Sequence, residues 1–142
     1  MLRLTIENFD QEINKISGPY LIKFFSPTCG PCHTMKPVFE AFEQQRTDFN
    51  VFEVDTMASP EIADMFNVRG VPFSAFCEGR EIIYTFTGVT KLAELLYVAE
   101  NINDPHMRET GEFKIQKEEK TSFYLWGILG VVLLYILIIS II

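Results

Sequence analysis

From Phe123 to Ile142 the chain reads FYLWGILGVVLLYILIISII, without a charged residue, and no other feature restricts its folding so tightly. About twenty helical residues at ~1.5 Å each span roughly 30 Å, the thickness of a bilayer's hydrocarbon core. A buried helix of a globular domain would keep a polar stripe over such a length. The run is read as one transmembrane helix. Lys114, Lys117 and Lys120 lie ahead of it and nothing basic follows, so the positive-inside rule keeps the preceding domain on the cytoplasmic side. Tyr124 and Trp126 suit the headgroup boundary, and Gly127 and Gly130 would let another helix approach closely. The opening MLRLTIENFDQEINK has no apolar stretch behind a basic start, so it does not read as a secretory signal.

All charges precede Phe123, so the formal net charge of −7 belongs to the rest of the chain. An acidic domain argues against nucleic acid as a partner, because attraction to phosphate carries such binding. Three cysteines on the cytoplasmic side do not suggest a disulfide scaffold. A Cys-x-x-Cys there reads as a working dithiol or half of a metal site.

Strand-like and helix-like patterns alternate through this acidic part, as in an α/β or α+β sheet domain. A short strand is expected near Leu2 to Ile6, then a helix opened by an Asn8/Gln11 capping box with Phe9, Ile13 and Ile16 on one face. YLIKFF, Tyr20 to Phe25, is the run of a central strand covered on both faces, interrupted only by Lys23. A helix from Cys32 presents Met35, Phe39 and Phe42, with Pro37 as a kink. A strand over Phe49 to Val54 and a short helix capped by Ser59, with Ile62 and Phe66 inward, come next. Phe73 to Cys77 and Glu81 to Thr87 read as a hairpin, and Thr90 caps a helix with Leu92, Leu95, Leu96 and Ala99 inward. Met35, Met57 and Met65 read as packing. Three segments result: a domain over 1–103, a charged linker over 104–122 and the membrane helix over 123–142.

The sequence FSPTCGPCH, Phe25 to His33, carries the chemistry. A spacing of three residues at a helix start brings two cysteine Cα atoms within the roughly 4.4–6.8 Å that a disulfide tolerates. Cys29, at the cap, faces the positive end of the helix dipole and unpaired backbone N–H groups, which favour thiolate. Lowering its pKa from ~8.5 to ~7 raises the thiolate share at neutral pH from about 3% to about half. Cys32, one turn inside, is sheltered. Cys29 is thus the nucleophile on a substrate disulfide and Cys32 the thiol that resolves the mixed disulfide. Gly30 permits close approach of another chain, and Pro31 favours helix entry.

The tetrapeptide after an apolar strand, Pro37, the Val68-Arg-Gly-Val-Pro72 segment and Gly88, in this order, resemble the thioredoxin family over roughly residues 2–103. The resemblance implies the thioredoxin fold, a central mixed sheet flanked by helices, with Cys29 and Cys32 as the redox pair and a cis bond at Val71–Pro72 beside them. It implies protein disulfides as substrates, an electron donor such as a thioredoxin reductase, and no cofactor beyond the dithiol. Three positions depart from the family pattern. Thr28 stands where Trp is usual, removing an aromatic surface beside Cys29. Phe73 replaces a smaller polar residue after the proline. Lys23 stands where a buried Asp usually helps deprotonate the resolving thiol; a neutral lysine there would act as base and a charged one would favour thiolate, while the plainer expectation is that its stem packs and its amine reaches water.

Other readings of these residues are weaker. Cys-x-x-Cys-His fits haem attachment, but that would need export; His33 is read as an exposed first-turn residue. A zinc site would need two further ligands, for which only Cys77 and His106 offer themselves. No metal is assigned, and Cys77 is read as a small buried residue. The function expected is a single-pass, membrane-anchored thiol–disulfide oxidoreductase reducing or exchanging protein disulfides. The alternative is a redox-silent interaction subunit of a membrane complex built on the same fold.

Overall fold

The computed structural model describes residues 1–113 together with Ile136 and Ile139. The expected membrane helix, apart from those two isoleucines, and the linker from residue 114 onward lie outside the described residues. Among the described residues no helix is long and apolar enough to cross a membrane.

The elements run β1 (Leu2–Arg3), α1 (Phe9–Ile13), β2 (Pro19–Phe25), α2 (Gly30–Gln45), β3 (Asn50–Asp55), α3 (Pro60–Met65), β4 (Phe73–Glu78), β5 (Glu81–Thr87), α4 (Leu92–Asn101) and α5 (Pro105–Thr110). They build a five-stranded sheet in the order β1-β3-β2-β4-β5. β1 and β2 are each parallel to β3, whereas β4 runs antiparallel to both β2 and β5. The sheet is mixed and helix-flanked, as the resemblance implies.

β2 is central because its side chains serve both faces. Tyr20, Ile22 and Phe24 enter one core with Phe9 and Ile13 of α1 and Ile62 of α3. Leu21 enters the other, with Met35, Phe39 and Phe42 of α2 and Leu95, Val98 and Ala99 of α4. All four of those β2 residues are fully buried; each large apolar side chain removed from water contributes about 1.5–3 kcal/mol. Pro37 lies inside α2, and the helix runs through it.

Several local expectations differ from the structure. The first strand stops at Arg3, and Asn8 makes no capping bond within α1; its Oδ1 accepts from the Thr5 N–H instead. Ser59 stands at the N-cap of α3 without a side-chain cap bond. Lys91 rather than Thr90 caps α4, its N–H donating to the Glu94 carboxylate, while buried Thr90 hydrogen-bonds the Gly88 carbonyl. Met35 is buried as expected, but Met57 and Met65 are exposed.

The largest difference falls in the segment read as the start of a charged linker, which forms α5. Asp104 caps it by accepting from His106 N–H, Pro105 occupies its first turn, and Gly111 ends it at φ 70°, a left-handed conformation that glycine takes without strain. Met107 is buried, and the Phe113 ring packs 5.2 Å from Tyr84 and 5.1 Å from Tyr97. Two apolar residues, three and nine positions beyond the Asp104 cap, are enough to fold this stretch onto the sheet, despite its charged composition.

Candidate active site

The turn Ser26-Pro27-Thr28 leads from the end of β2 into α2, and Cys29 is the N-cap residue, in extended conformation. Cys29 and Cys32 form a disulfide, with Cα atoms 5.3 Å apart. The Cys32 N–H donates to Cys29 Sγ at 3.2 Å. The sulfur therefore occupies the position of a capping oxygen and receives one of the orphan donors of the helix start. Cys29 is half-buried and Cys32 is 7% exposed. Gly30, Pro31 and His33 are exposed in the first turn, and Thr28 is exposed just before it.

The second part of the site lies across the sheet. Phe24 pairs with Phe73, so β4 begins beside the end of β2 that leads to the cysteines. The Val71–Pro72 bond immediately before it is cis and Pro72 is buried. Gly88, at φ 88°, donates its N–H to the Pro72 carbonyl at 2.8 Å and ties the end of β5 to this turn. Phe73 is half-buried with its ring against Phe24, so its apolar surface is shared between core and rim.

Lys23 is largely buried, and its amine is paired inside the protein rather than extended into water. The residue is 6% exposed, and its Nζ donates to Glu53 Oε2 at 3.1 Å. The ammonium also lies 4.9 Å from the Phe25 ring centroid and 5.6 Å from that of Phe39, within the range of cation–π attraction. Arg3 holds the other oxygen, Oε1, through Nε at 3.0 Å and Nη2 at 2.8 Å. Burial pushes the Glu53 carboxyl up, but the hydrogen bonds from Arg3 and Lys23 outweigh it and hold the group below its ordinary value. Glu53 is the site residue that the sequence reading missed. Its signal was present: YLIKFF and FNVFEV each place a charge of opposite sign inside an apolar strand. Only the register Lys23↔Glu53 shows that the two meet.

A cavity of about 420 Å³ opens beside this pair, lined by Lys23, Glu53, Arg3, Phe25, Cys32 and His33 among others. Opposite Lys23 on β4, Ser74 is 1% exposed and its hydroxyl has no hydrogen-bond partner among the described residues. Cys77 is fully buried in β4, where burial pushes its thiol up to about 12. His106 lies in the first turn of α5. The structure thus does not gather Cys77 or His106 at the dithiol, and no group of three metal-ligating side chains occurs among the described residues.

Comparison with known proteins gives this geometry a family. The sequence profile described as Thioredoxin matches residues 1–101. The chain belongs to the thioredoxin family. Among curated thioredoxins, that of Buchnera aphidicola is 29% identical over 106 residues, covering 72% of this chain and 96% of its own length. Thioredoxin 1 of Synechococcus elongatus is 33% identical over 81 residues, 56% of this chain and 76% of that protein. An NADPH-dependent thioredoxin reductase 3 of Arabidopsis thaliana is 31% identical over 97 residues, and this chain spans only 18% of its length. A solved structure, from work on thiol resolution in yeast mitochondrial 1-Cys peroxiredoxin via glutathione/thioredoxin systems, aligns with a TM-score of 0.63. It is 24% identical and covers 70% of this chain and 94% of its own, a likeness of fold. With a disulfide-forming cysteine pair at the helix start, this thioredoxin-family protein is a thiol–disulfide oxidoreductase.

Proposed function

We propose that the protein is a membrane-anchored protein-disulfide reductase whose dithiol works on the cytoplasmic side. The observation that carries the redox roles is the Cys32 N–H on Cys29 Sγ at the cap of α2, with Cys32 itself buried. A sulfur in that position is stabilised as thiolate by the helix start, and its accessibility lets it meet a partner disulfide. Cys29 attacks one sulfur of the substrate disulfide, whose S–S bond breaks and whose second sulfur leaves as thiolate. The Cys32 thiolate then attacks Cys29 Sγ, the Cys29–Cys32 bond forms, and the second substrate thiolate leaves and is protonated by water. The substrate gains two electrons and the dithiol loses two. A thioredoxin reductase is the proposed electron donor, a reading supported by the likeness to the Arabidopsis reductase.

The anchor and the cytoplasmic orientation rest on the charge-free run from Phe123 and the lysines before it. α5 lies next to Glu78, which pairs with the first residue of β2, whereas the cysteines follow the last. The described chain is therefore tied down at the end of the sheet away from the dithiol, leaving that end open to partners. Tethering raises the effective concentration near membrane-bound substrates.

The full chain in detergent should reduce insulin disulfides with dithiothreitol as electron source, and Cys29→Ser should abolish this. Cys32→Ser should accumulate mixed disulfides through Cys29 in cells. An active Cys29→Ser protein would overturn the assignment of the nucleophile. Recovery of the full chain in the soluble fraction after alkaline extraction of membranes would overturn the anchor.

A further inference from the structure

We infer that Lys23 presents a net positive charge to Cys32, and that this charge, rather than a buried carboxylate base, stabilises the thiolate that closes the disulfide. The inference rests on the proposed role of Cys32 as the resolving thiol.

Lys23, Glu53 and Cys32 line the same cavity. The amine donates to a carboxylate at 3.1 Å and lies over two aromatic rings, Phe25 and Phe39, contacts in which it acts as donor and cation rather than as a base. Glu53 is equally unsuited to accept a proton from Cys32, because three N–H donors from Arg3 and Lys23 already stabilise its ionised state.

The charge balance of the cavity wall decides the sign. Met1's ammonium pairs with Glu43, and Lys36 lies 4.0 Å from Glu40. Glu53 faces two cations, Arg3 and Lys23, so one positive charge is left over. His33 adds to that side when protonated. Further along β3, Asp55 directs Oδ1 at the Met57 and Ala58 N–H groups and does not line the cavity. From β4 the neighbour of Lys23 is Ser74, a neutral hydroxyl. Of the cations, Lys23 packs its charge 5.6 Å from the ring of Phe39 on α2, at 8% side-chain exposure against 10% for Met1, 54% for Arg3 and 70% for Lys36. It is accordingly the least screened by water.

A cation at this place stabilises the reduced, thiolate-bearing dithiol over the uncharged disulfide. Removing it should shift the balance toward the disulfide, and removing its counter-charge should do the reverse. The test is redox equilibrium of the full chain, in mild detergent, against reduced and oxidised glutathione, read by alkylation of free thiols. Lys23→Met should move the equilibrium constant toward the disulfide by roughly three- to tenfold, and Glu53→Gln should move it toward the dithiol by a comparable factor. Lys23→Arg, which keeps the charge, should stay within about twofold of the unaltered protein. In a Cys29→Ser background, thiolate absorbance of Cys32 should titrate at higher pH with Lys23→Met and at lower pH with Glu53→Gln. A role confined to packing would move neither readout in opposite directions for the two variants. Equilibria that are unchanged, or that shift the same way in both, overturn the inference. Should Lys23→Met fail to fold, Glu53→Gln and the Cys32 titration decide. Glutathione equilibrium is readable whether or not insulin is a substrate, so failure here leaves the reductase reading standing, and failure of insulin reduction leaves this one.

Discussion

The Arg108 guanidinium of α5 donates to the Glu78 carboxylate at 2.5 Å and, through Nε, to the Ile102 carbonyl at 2.7 Å. One side chain therefore staples the segment after α4 to the end of β4. The contact with Glu78 is partly exposed and contributes little on its own. Met107, 1% exposed, and the Phe113 ring between Tyr84 and Tyr97 supply most of what holds the segment.

Met107→Ala should therefore destabilise the domain by about 2–4 kcal/mol, and Arg108→Ala by about 1 kcal/mol. Urea unfolding checks both. If Met107→Ala leaves the midpoint unchanged, α5 is not part of the folded unit.

The main elements were legible because local and tertiary demands agree. An apolar run interrupted once, a Cys-Gly-Pro-Cys helix start and a Gly-containing hairpin admit few other structures, and β2, α2, β4 and β5 fall within a residue or two of the expected limits. Caps were less legible. Asn8, Ser59 and Thr90 are all good cap formers, yet Asn8 and Thr90 bond elsewhere and Ser59 makes no cap bond, because such a bond contributes only about 1 kcal/mol and competes with other local contacts. α5 was obscured by charge, since composition counts residues while burial depends on the few that reach the sheet. The site was half legible. Cysteine spacing is local, but the Lys23–Glu53 pair depends on strand register, which links residues thirty positions apart.

Gly88 should not tolerate a side chain. At φ 88° an L-residue is strained by about 1–2 kcal/mol, and the Gly88 N–H on the Pro72 carbonyl passes any shift to the turn beside the dithiol. Gly88→Ala should lower stability by that amount and also slow insulin reduction. Unaltered stability together with unaltered turnover would show that the Gly88–Pro72 tie is immaterial.

Ser74→Ala should be neutral or stabilise by up to about 1 kcal/mol. Its hydroxyl is buried without a partner among the described residues, so removing it forfeits none of their hydrogen bonds and relieves a desolvation cost. A loss of more than about 1 kcal/mol in the urea midpoint analysis would reveal that the hydroxyl does have a partner, such as a water in the neighbouring cavity.

Cys77 should make the domain sensitive to alkali. Burial raises its thiol from 9.0 to about 12, so the folded chain keeps a proton that the unfolded chain releases. The stability this represents is complete below pH 9 and is lost as pH rises toward about 12. Tyr20, raised above its usual range chiefly by burial while its hydroxyl donates to the Gly79 carbonyl, acts in the same direction at the upper end of that window. Urea midpoints measured between about pH 8 and about pH 10.5 should fall for the unaltered protein and fall less steeply for Cys77→Ala, the remaining slope coming from Tyr20. Alkylation gives an independent reading. In a Cys29→Ser, Cys32→Ser background, iodoacetamide should label Cys77 only after denaturant is added, and rapid labelling of the folded protein would show that β4 opens to solvent.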